Sequence, residues 1–435
     1  MTRRTKIIAT IGPASDSPAV LRQMMEAGMD VARLGLAHGS LDLAIERYRT
    51  IRSAAAEVGK RVGVLVDLPG PKIRAAGFPE GGALLEEGST IALAPGSGHS
   101  SASRVEIDYD GLLNDIQPGD VLPFGDGQVV IEIVSVGNDQ ATARVTSGGN
   151  LQGRPGLRLP SERVSMPTPT EDDLRMLDVF VEEGVDIVAI SFVRSAHDVR
   201  RVGTEPHPRG PLVVAKIETR SAVENLAGII EASAGIMVAR GDLGTEFPIA
   251  ELPHLQKRII RECIAGGLPV ITATQMLDSM VTNPTPTRAE ASDVANAVFD
   301  GTSAVMLSAE TAIGQYPVDT VATMARIAGR ADEEFDYNRW AETVTEIRSG
   351  VQHDHRNAVT DAMTSAGCRA AAELGVSAII AISGSGFTVR SVARFRPRAR
   401  ILGMSTNERT VQQLTMSWGV TPVLVDPEWS YEFRV

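Results

Sequence analysis

Eight short runs of apolar, largely β-branched residues recur through the first part of the chain, at 6–12, 31–37, 61–68, 185–193, 212–218, 235–243, 269–275 and 303–310. Most are nearly uninterrupted, which is how strands buried on both faces read. Helical patterns lie between them at 41–58, 171–183, 222–232, 252–265, 291–299 and 318–331. Eight strands alternating with helices is the count of a (β/α)8 barrel, although a doubly wound open sheet shares the local pattern.

The rhythm breaks twice. Between about 75 and 167, strand-like pieces at 91–93, 129–136 and 141–145 lie among many Gly, Pro and Ser residues with no long helix. That stretch reads as a small all-β domain inserted after the third strand, in the place of a lid. Beyond Asp332 a new α/β stretch begins, with helices at 358–374 and from 408, and strands at 377–382, 401–404 and 422–425. The expected division is a barrel of residues 1–74 and 168–335, an inserted β domain of 75–167, and a C-terminal α/β domain of 336–435.

Of the 435 residues, 43% are hydrophobic and 22% charged, which excludes a disordered or collagen-like chain. The net charge of −12 argues against sequence-independent nucleic-acid binding, which needs a basic surface, but leaves room for an anionic substrate in a locally basic pocket. Two cysteines, Cys263 and Cys368, have neither disulfide-framework nor zinc spacing, and a reducing cytoplasm is expected. No signal peptide and no uncharged run of membrane-spanning length is visible, so no membrane association is expected.

A barrel enzyme carries its reacting groups at the C-terminal ends of its strands. Here those ends hold Arg33, Asp67, Lys216, Glu218, Asp242, Thr274 and Ser308. Each alone is an ordinary loop residue; their convergence from separate strands points to one pocket. Lys216 and Glu218 are two residues apart on one strand and so share a face. Glu218 and Asp242 on neighbouring strands can offer two hard oxygens to Mg²⁺, and Lys216 can neutralise a transferring phosphoryl group.

These residues stand in longer ordered segments. Among them are Thr10-Ile11-Gly12-Pro13-Ala14-Ser15, Val31-Ala32-Arg33-Leu34 with His38-Gly39, Gly70-Pro71 with Ile73-Arg74, and Ser191-Phe192-Val193-Arg194. Ala215-Lys216-Ile217-Glu218, Met237-Val238-Ala239-Arg240-Gly241-Asp242-Leu243-Gly244, Ile271-Thr272-Ala273-Thr274-Gln275-Met276 and Met306-Leu307-Ser308 follow. Along nearly its whole length the chain resembles the pyruvate kinase family. The resemblance implies a (β/α)8 TIM barrel with an inserted small all-β lid domain and a C-terminal α/β domain. It further implies Mg²⁺-dependent (or Mn²⁺-dependent) phosphoryl transfer from phosphoenolpyruvate to ADP, giving pyruvate and ATP, by a homotetramer. By the same resemblance Arg33 and Lys216 would hold the phosphoryl group, Glu218 and Asp242 the metal, and Thr274 would assist enolpyruvate protonation. Ala239, Arg240, Gly241 and Asp242, with Ser191 and Phe192, would line the phosphoenolpyruvate side. Pro13, His38, Arg74, Asp126 and Arg154 match nucleotide-side positions.

The departures from the family cluster on the acceptor and cation side. The usual Arg-Leu-Asn-Phe-Ser-His reads Arg33-Leu34-Gly35-Leu36-Ala37-His38, and the usual Asp-Thr-Lys-Gly-Pro-Glu reads Asp67-Leu68-Pro69-Gly70-Pro71-Lys72. Arg154-Pro155-Gly156 stands where the family often has Lys-Lys-Gly. The Leu68 and Lys72 pair resembles the potassium-independent branch, in which a tethered ammonium stands in for the ion; K⁺ is therefore expected to be dispensable. Ser383-Gly384-Ser385-Gly386-Phe387-Thr388 is similar to a loop that binds effector phosphates in some members, although the C-terminal domain is shorter than usual. Two other readings stay open on the sequence: a paralogue that passes phosphoenolpyruvate or pyruvate enolate to another acceptor, and a metabolite-binding regulatory protein without turnover.

Overall fold

A computed structural model describes residues 3–125, 127, 129–349 and 358–427. The eight apolar runs are eight parallel strands: β1 (Lys6–Thr10), β2 (Val31–Gly35), β3 (Gly63–Leu68), β4 (Ile187–Ile190), β5 (Leu212–Ile217), β6 (Gly235–Ala239), β7 (Val270–Ala273) and β8 (Ala304–Leu307). They close in the order β1-β8-β7-β6-β5-β4-β3-β2. Pairing of Lys6 with Ala304 and of Ile8 with Val31 joins the first strand to both neighbours, so the sheet is a barrel and not an open fan.

Alternation along each strand sorts the side chains. Ile8, Val31, Leu65, Ile187, Ala189, Leu212, Val214, Met237, Ile271 and Met306 fill the interior as one cluster, while Ala32, Val64, Val66, Ala215 and Ile217 face the helices. Two residues further along the inward-facing positions come Thr10, Arg33, Asp67, Ser191, Lys216 and Ser308. The interior is thus apolar in its lower layers and polar at the top, where the strands end.

Seven of the eight strands stop short of the apolar runs, and in two of them the remainder of the run is helical. Residues 235–243 divide into β6 and a helix at Arg240–Glu246, and residues 303–310 into β8 and a helical turn at Ala309–Ala312. The misleading signal is Leu243, which is fully buried, but on the helix. The single helix expected over 222–232 is broken into Arg220–Glu224 and Leu226–Ala232.

The insertion forms a five-stranded sheet in the order Arg104–Ile107, Thr90–Pro95, Ala141–Ser147, Val129–Val136, Val121–Phe124. Its buried face carries Ile91, Leu93, Val105, Leu122, Phe124, Ile131 and Ala143. Only three of its strands have the length and β-branching to be read from sequence; the others are short pieces among turns. The C-terminal domain is a three-stranded parallel sheet, Ala378–Ile382, Arg400–Ser405 and Val420–Leu424, with helices at Ala358–Leu374, Phe387–Arg394 and Glu408–Gln413. No helix among the described residues is long and apolar enough to cross a membrane.

The C-terminal domain also seals the lower end of the barrel. Met416, on the turn Leu414–Met416, is fully buried and belongs to the interior cluster itself. Gly63 and Gly235 open the space for this turn: a Cβ on Gly63 would lie 2.4 Å from Thr415 Oγ1 and 3.1 Å from the Gln412 carbonyl, and one on Gly235 3.3 Å from Met416 Cε. Gly63→Ala is therefore expected to destabilise the fold by about 1–3 kcal/mol through overpacking. Thr415→Ala in the same chain should restore part of the loss, as read by urea unfolding. An unchanged midpoint for Gly63→Ala would show that the floor yields without cost.

Candidate active site

Five strand ends meet in one charged cluster. Lys216 Nζ lies 3.1 Å from Asp67 Oδ1, 2.7 Å from Ser191 Oγ and 2.9 Å from Glu218 Oε1. Arg33 donates from Nε to Asp67 Oδ2 at 2.8 Å and from Nη1 to Thr10 Oγ1 at 2.9 Å. Asp67 is buried and would be disfavoured as an anion, but Lys216 and Arg33 more than offset that and hold its carboxyl below the usual range. Burial likewise pushes the Lys216 ammonium down, and Asp67 with Glu218 reverses the shift, so it stays charged with a raised pKa. The result is two fixed cations whose countercharge is already inside the barrel.

Glu218 is buried, and its Oε2 accepts the Phe192 N–H at 2.6 Å. Its Oε1 is within ion-pair distance of Lys216 but has no aligned hydrogen-bond donor. Burial raises the Glu218 carboxyl, with Lys216 opposing and Asp242 adding to the shift. Asp242, in the first turn of the Arg240–Glu246 helix, is close enough to Glu218 for their carboxyls to interact directly. Among the described residues no group of three or more His, Cys, Asp or Glu side chains is placed to hold a metal. Two converging carboxylates, one with a buried oxygen met only by the Lys216 ammonium, nevertheless fit Mg²⁺, which takes one or two protein carboxylates and fills its octahedron with substrate oxygens and water.

Thr274 follows β7 with φ 68° and Gln275 with φ 53°, a left-handed turn that is costly for a β-branched residue. The hydroxyl of Thr274 accepts the Gly241 N–H at 2.7 Å and donates to the Ala273 carbonyl at 2.6 Å. Arg240 donates to the Thr274 carbonyl at 2.7 Å and pairs with Asp293 at 2.8 Å, so its guanidinium braces the turn. Phe192, with φ 55°, makes the matching turn after β4 and lines the cleft. Gly70, with φ 68°, packs so tightly here that a Cβ would fall 2.9 Å from both Phe192 and Ser191. Asp173 holds Gly70 in place by accepting its N–H at 3.1 Å while also capping its own helix.

Lid and barrel enclose a cleft of about 300 Å³. Lys72, Arg74, Arg158, Arg194, Glu218, Asp242 and Glu246 supply its charge, and Ile73, Leu157, Leu159 and Phe192 its apolar walls. Desolvation and the Lys216 ammonium keep the Lys72 pKa below the usual lysine value, with Asp242 and Asp67 pulling the other way. Exposed His38 is lowered by partial desolvation and by Lys72, Arg74 and Arg33, which places it on the same cationic rim. Pro13 is exposed on the loop after β1.

Arg154 stands apart from this lining. It pairs with Asp108 at 2.5 Å on the lid, and its carbonyl accepts from Arg74 at 3.2 Å. Asp126 lies outside the described residues. Sequence reasoning missed Arg158, which reaches Asp242 Oδ1 at 2.7 Å. A lone arginine between two leucines carries no motif, and only the chain path shows where it lands. It also missed Thr10, the second anchor of Arg33.

The loop 383–386 is remote from this cleft. Gly386, with φ 77°, precedes the helix Phe387–Arg394, Gly384 O accepts from Thr410 Oγ1 at 2.7 Å, and Ser385 O accepts from Arg390 at 3.1 Å. Arg390 is buried with Nη1 unpartnered. Ser383 and Thr388 flank the loop.

Residues 2–321 match the family described as pyruvate kinase, barrel domain, and residues 361–434 that described as pyruvate kinase, alpha/beta domain. The chain is 41% identical to a pyruvate kinase of Bacillus licheniformis over 423 residues, 96% of this chain and 71% of that one. It is also 41% identical to one of Geobacillus stearothermophilus over 425 residues, 97% and 71% of the two chains. Among solved structures, a pyruvate kinase from Cryptosporidium parvum superposes with a TM-score of 0.90 at 32% identity, covering 97% of this chain and 87% of that one.

Proposed function

Since the chain belongs to the pyruvate kinase family, we propose that it transfers the phosphoryl group of phosphoenolpyruvate to ADP at the mouth of its barrel. The observation that carries the residue assignment is the Lys216 ammonium. It is held by Asp67, Ser191 and Glu218 beside Arg33, at the end where barrel enzymes react. A coupled assay for pyruvate formed from phosphoenolpyruvate and ADP tests the reading; no pyruvate from the folded protein would refute it.

In this reading the enol oxygen–phosphorus bond breaks as a bond forms from phosphorus to a terminal phosphate oxygen of ADP. Arg33 and Lys216 carry positive charge to the phosphoryl oxygens in flight, where such groups act mainly by electrostatics. Their geometry is set before substrate arrives, so little reorganisation is needed. Glu218 and Asp242 would hold Mg²⁺ or Mn²⁺, which when bound would supply positive charge against the enolate oxygen. The segment Ala239–Asp242, with Ser191 and Phe192, seats the carboxylate end of the substrate. Thr274 is assigned to the step in which the enolate's methylene carbon gains a proton to become pyruvate. Its hydroxyl proton is engaged with the Ala273 carbonyl, which favours a water as the carrier. Pro13, His38 and Arg74 are assigned to the nucleotide side, with the cationic rim toward the phosphates of ADP or ATP; Arg154, paired with Asp108, stands off that rim.

Lys72 takes the place of a monovalent cation. Potassium binds through several oxygens that replace its hydration shell, and Gly35, Ala37 and Leu68 provide no side-chain oxygen, leaving only Asp67. Lys72 sits within electrostatic reach of both Asp67 and Lys216. Turnover in tetramethylammonium buffer is expected to match that in KCl at equal ionic strength. A rise of about tenfold or more on adding K⁺ would remove Lys72 from this role.

The loop Ser383, Gly384, Ser385, Gly386 with Thr388 is assigned to an effector phosphate, supported by the buried, unpaired Arg390 Nη1 beneath it. The chain is assigned to the cytoplasm and to a homo-oligomer, a tetramer by family habit.

A further inference from the structure

The chain re-enters the barrel from the lid through Gly156–Ser161. Gly156 bridges to Arg74, the Leu157 N–H donates to the Ile73 carbonyl at 2.9 Å, and the Arg158 N–H donates to the Pro123 carbonyl at 3.1 Å. This root touches the Arg240–Glu246 helix twice: Ser161 Oγ donates to Glu246 Oε2 at 3.2 Å, and Arg158 donates to Asp242. Arg158 Nη2 is 2.7 Å from Asp242 Oδ1, and Nη1 is 3.4 Å from the Asp242 carbonyl. Both side chains are about three-quarters removed from solvent, at 26% and 30% exposure, so the pair is not a screened surface contact.

Asp242 is one of the two carboxylates assigned to the divalent ion, and the inference rests on that assignment. Arg158 takes Asp242 Oδ1, so a divalent cation at the ~2.1 Å of Mg²⁺ either shares that oxygen or binds Oδ2 of a carboxylate whose charge the guanidinium already offsets. Either way two cations draw on one anionic charge at close range, and each weakens the hold of the other. We propose that Arg158 is a lid-borne positioning residue that holds Asp242 while the divalent ion is absent and yields it when the ion binds, so that lid seating and metal occupancy compete for one carboxylate. Because such coupling is reciprocal, the cost to metal affinity of the Arg158 contact equals the cost to the lid contact of the metal. Once released, the guanidinium remains in the cleft beside Lys72 and Arg74, where its planar donors suit the phosphates of a nucleoside diphosphate. Arg154, bound to Asp108, does not line that cleft.

The test is Mn²⁺ binding to the full chain without nucleotide, with free Mn²⁺ counted by electron paramagnetic resonance, in wild type, Arg158→Gln, Asp242→Asn and the double variant. Arg158→Gln is expected to bind Mn²⁺ about fivefold more tightly or better. The gain should vanish in the Asp242→Asn background, where no carboxylate is left to contest. At saturating Mn²⁺ the same variant should bind ADP about tenfold more weakly. Equal Mn²⁺ affinity in wild type and Arg158→Gln overturns the proposal, as does a gain that persists with Asp242→Asn, which would be general charge removal. ADP affinity unchanged in Arg158→Gln overturns the second half of the proposal. If Asp242→Asn alone leaves Mn²⁺ affinity untouched, the metal assignment itself has failed, a result distinct from the others.

Discussion

Lys216→Met is expected to lower kcat by about 10²–10³-fold while changing KM for phosphoenolpyruvate far less. Methionine fills much of the same volume but removes the charge that meets the phosphoryl group between donor and acceptor. An interaction used mainly in the transition state appears in kcat, whereas one used equally in the bound complex appears in KM. Glu218 Oε1 loses its ion pair, a loss its already raised carboxyl can meet by taking a proton, and the other contacts of the neighbours survive. Asp67 keeps the Arg33 guanidinium and the Ser191 hydroxyl, and Glu218 keeps the Phe192 amide. The variant should therefore fold, which circular dichroism and thermal melting would establish before kinetics. A folded Lys216→Met with near wild-type kcat would show that another group stabilises the transfer.

Glu218→Gln and Asp242→Asn are each expected to raise the divalent-ion concentration for half-maximal activity by at least tenfold. Changing a residue that only supports a metal ligand commonly costs about 10–100-fold in affinity, so removing a ligand's own charge should cost no less. Glutamine at 218 can still accept the Phe192 N–H, and asparagine at 242 can still accept from Arg158, so the steric fit survives. Only the anionic oxygen is lost. Unchanged Mg²⁺ titrations in both variants would place the metal elsewhere.

The barrel was legible because its strands are buried on both faces. Residues such as Val64, Leu65 and Val66 are apolar whichever way they point, and the count of eight such runs suited a barrel, while closure against an open sheet came only from the pairing of β1 with both β8 and β2. The pairing of Lys216 with Glu218 was legible for a related reason, since period-two alternation needs no tertiary information. The lid was only half legible. Arg104–Ile107 and Val121–Phe124 are four residues each, and one contains a proline, so neither has enough pattern to stand out from turns. Leu243 misled because an apolar residue after a strand looks the same whether the strand continues or a helix begins. Arg158 was invisible for a deeper reason: its partner is 84 residues away on another domain, and no local preference encodes that meeting. The separate environments of Arg154 and Arg158, four positions apart on the same returning chain, depend on that path alone.

The turn that carries Met416 makes the catalytic barrel a vessel whose base belongs to its neighbour. The interior layer formed by Ile8, Val31, Leu65 and Met237 is completed only when Met416 enters from below. Further ties reinforce the joint: Lys6 Nζ donates to the Val420 carbonyl at 2.8 Å, Gln413 donates to the carbonyls of Asp186 and Gly210, and the Gly419 N–H donates to the Arg4 carbonyl. A barrel excised at its last helix would be a tube with a wet lower mouth, and its hydrophobic column would meet solvent. Any movement of the C-terminal sheet, whatever drives it, bears on the lower rungs of the same strands whose upper ends hold Arg33, Asp67 and Lys216. The distance between a distal domain and the reacting groups is then one strand length, with no intervening loop to absorb the displacement.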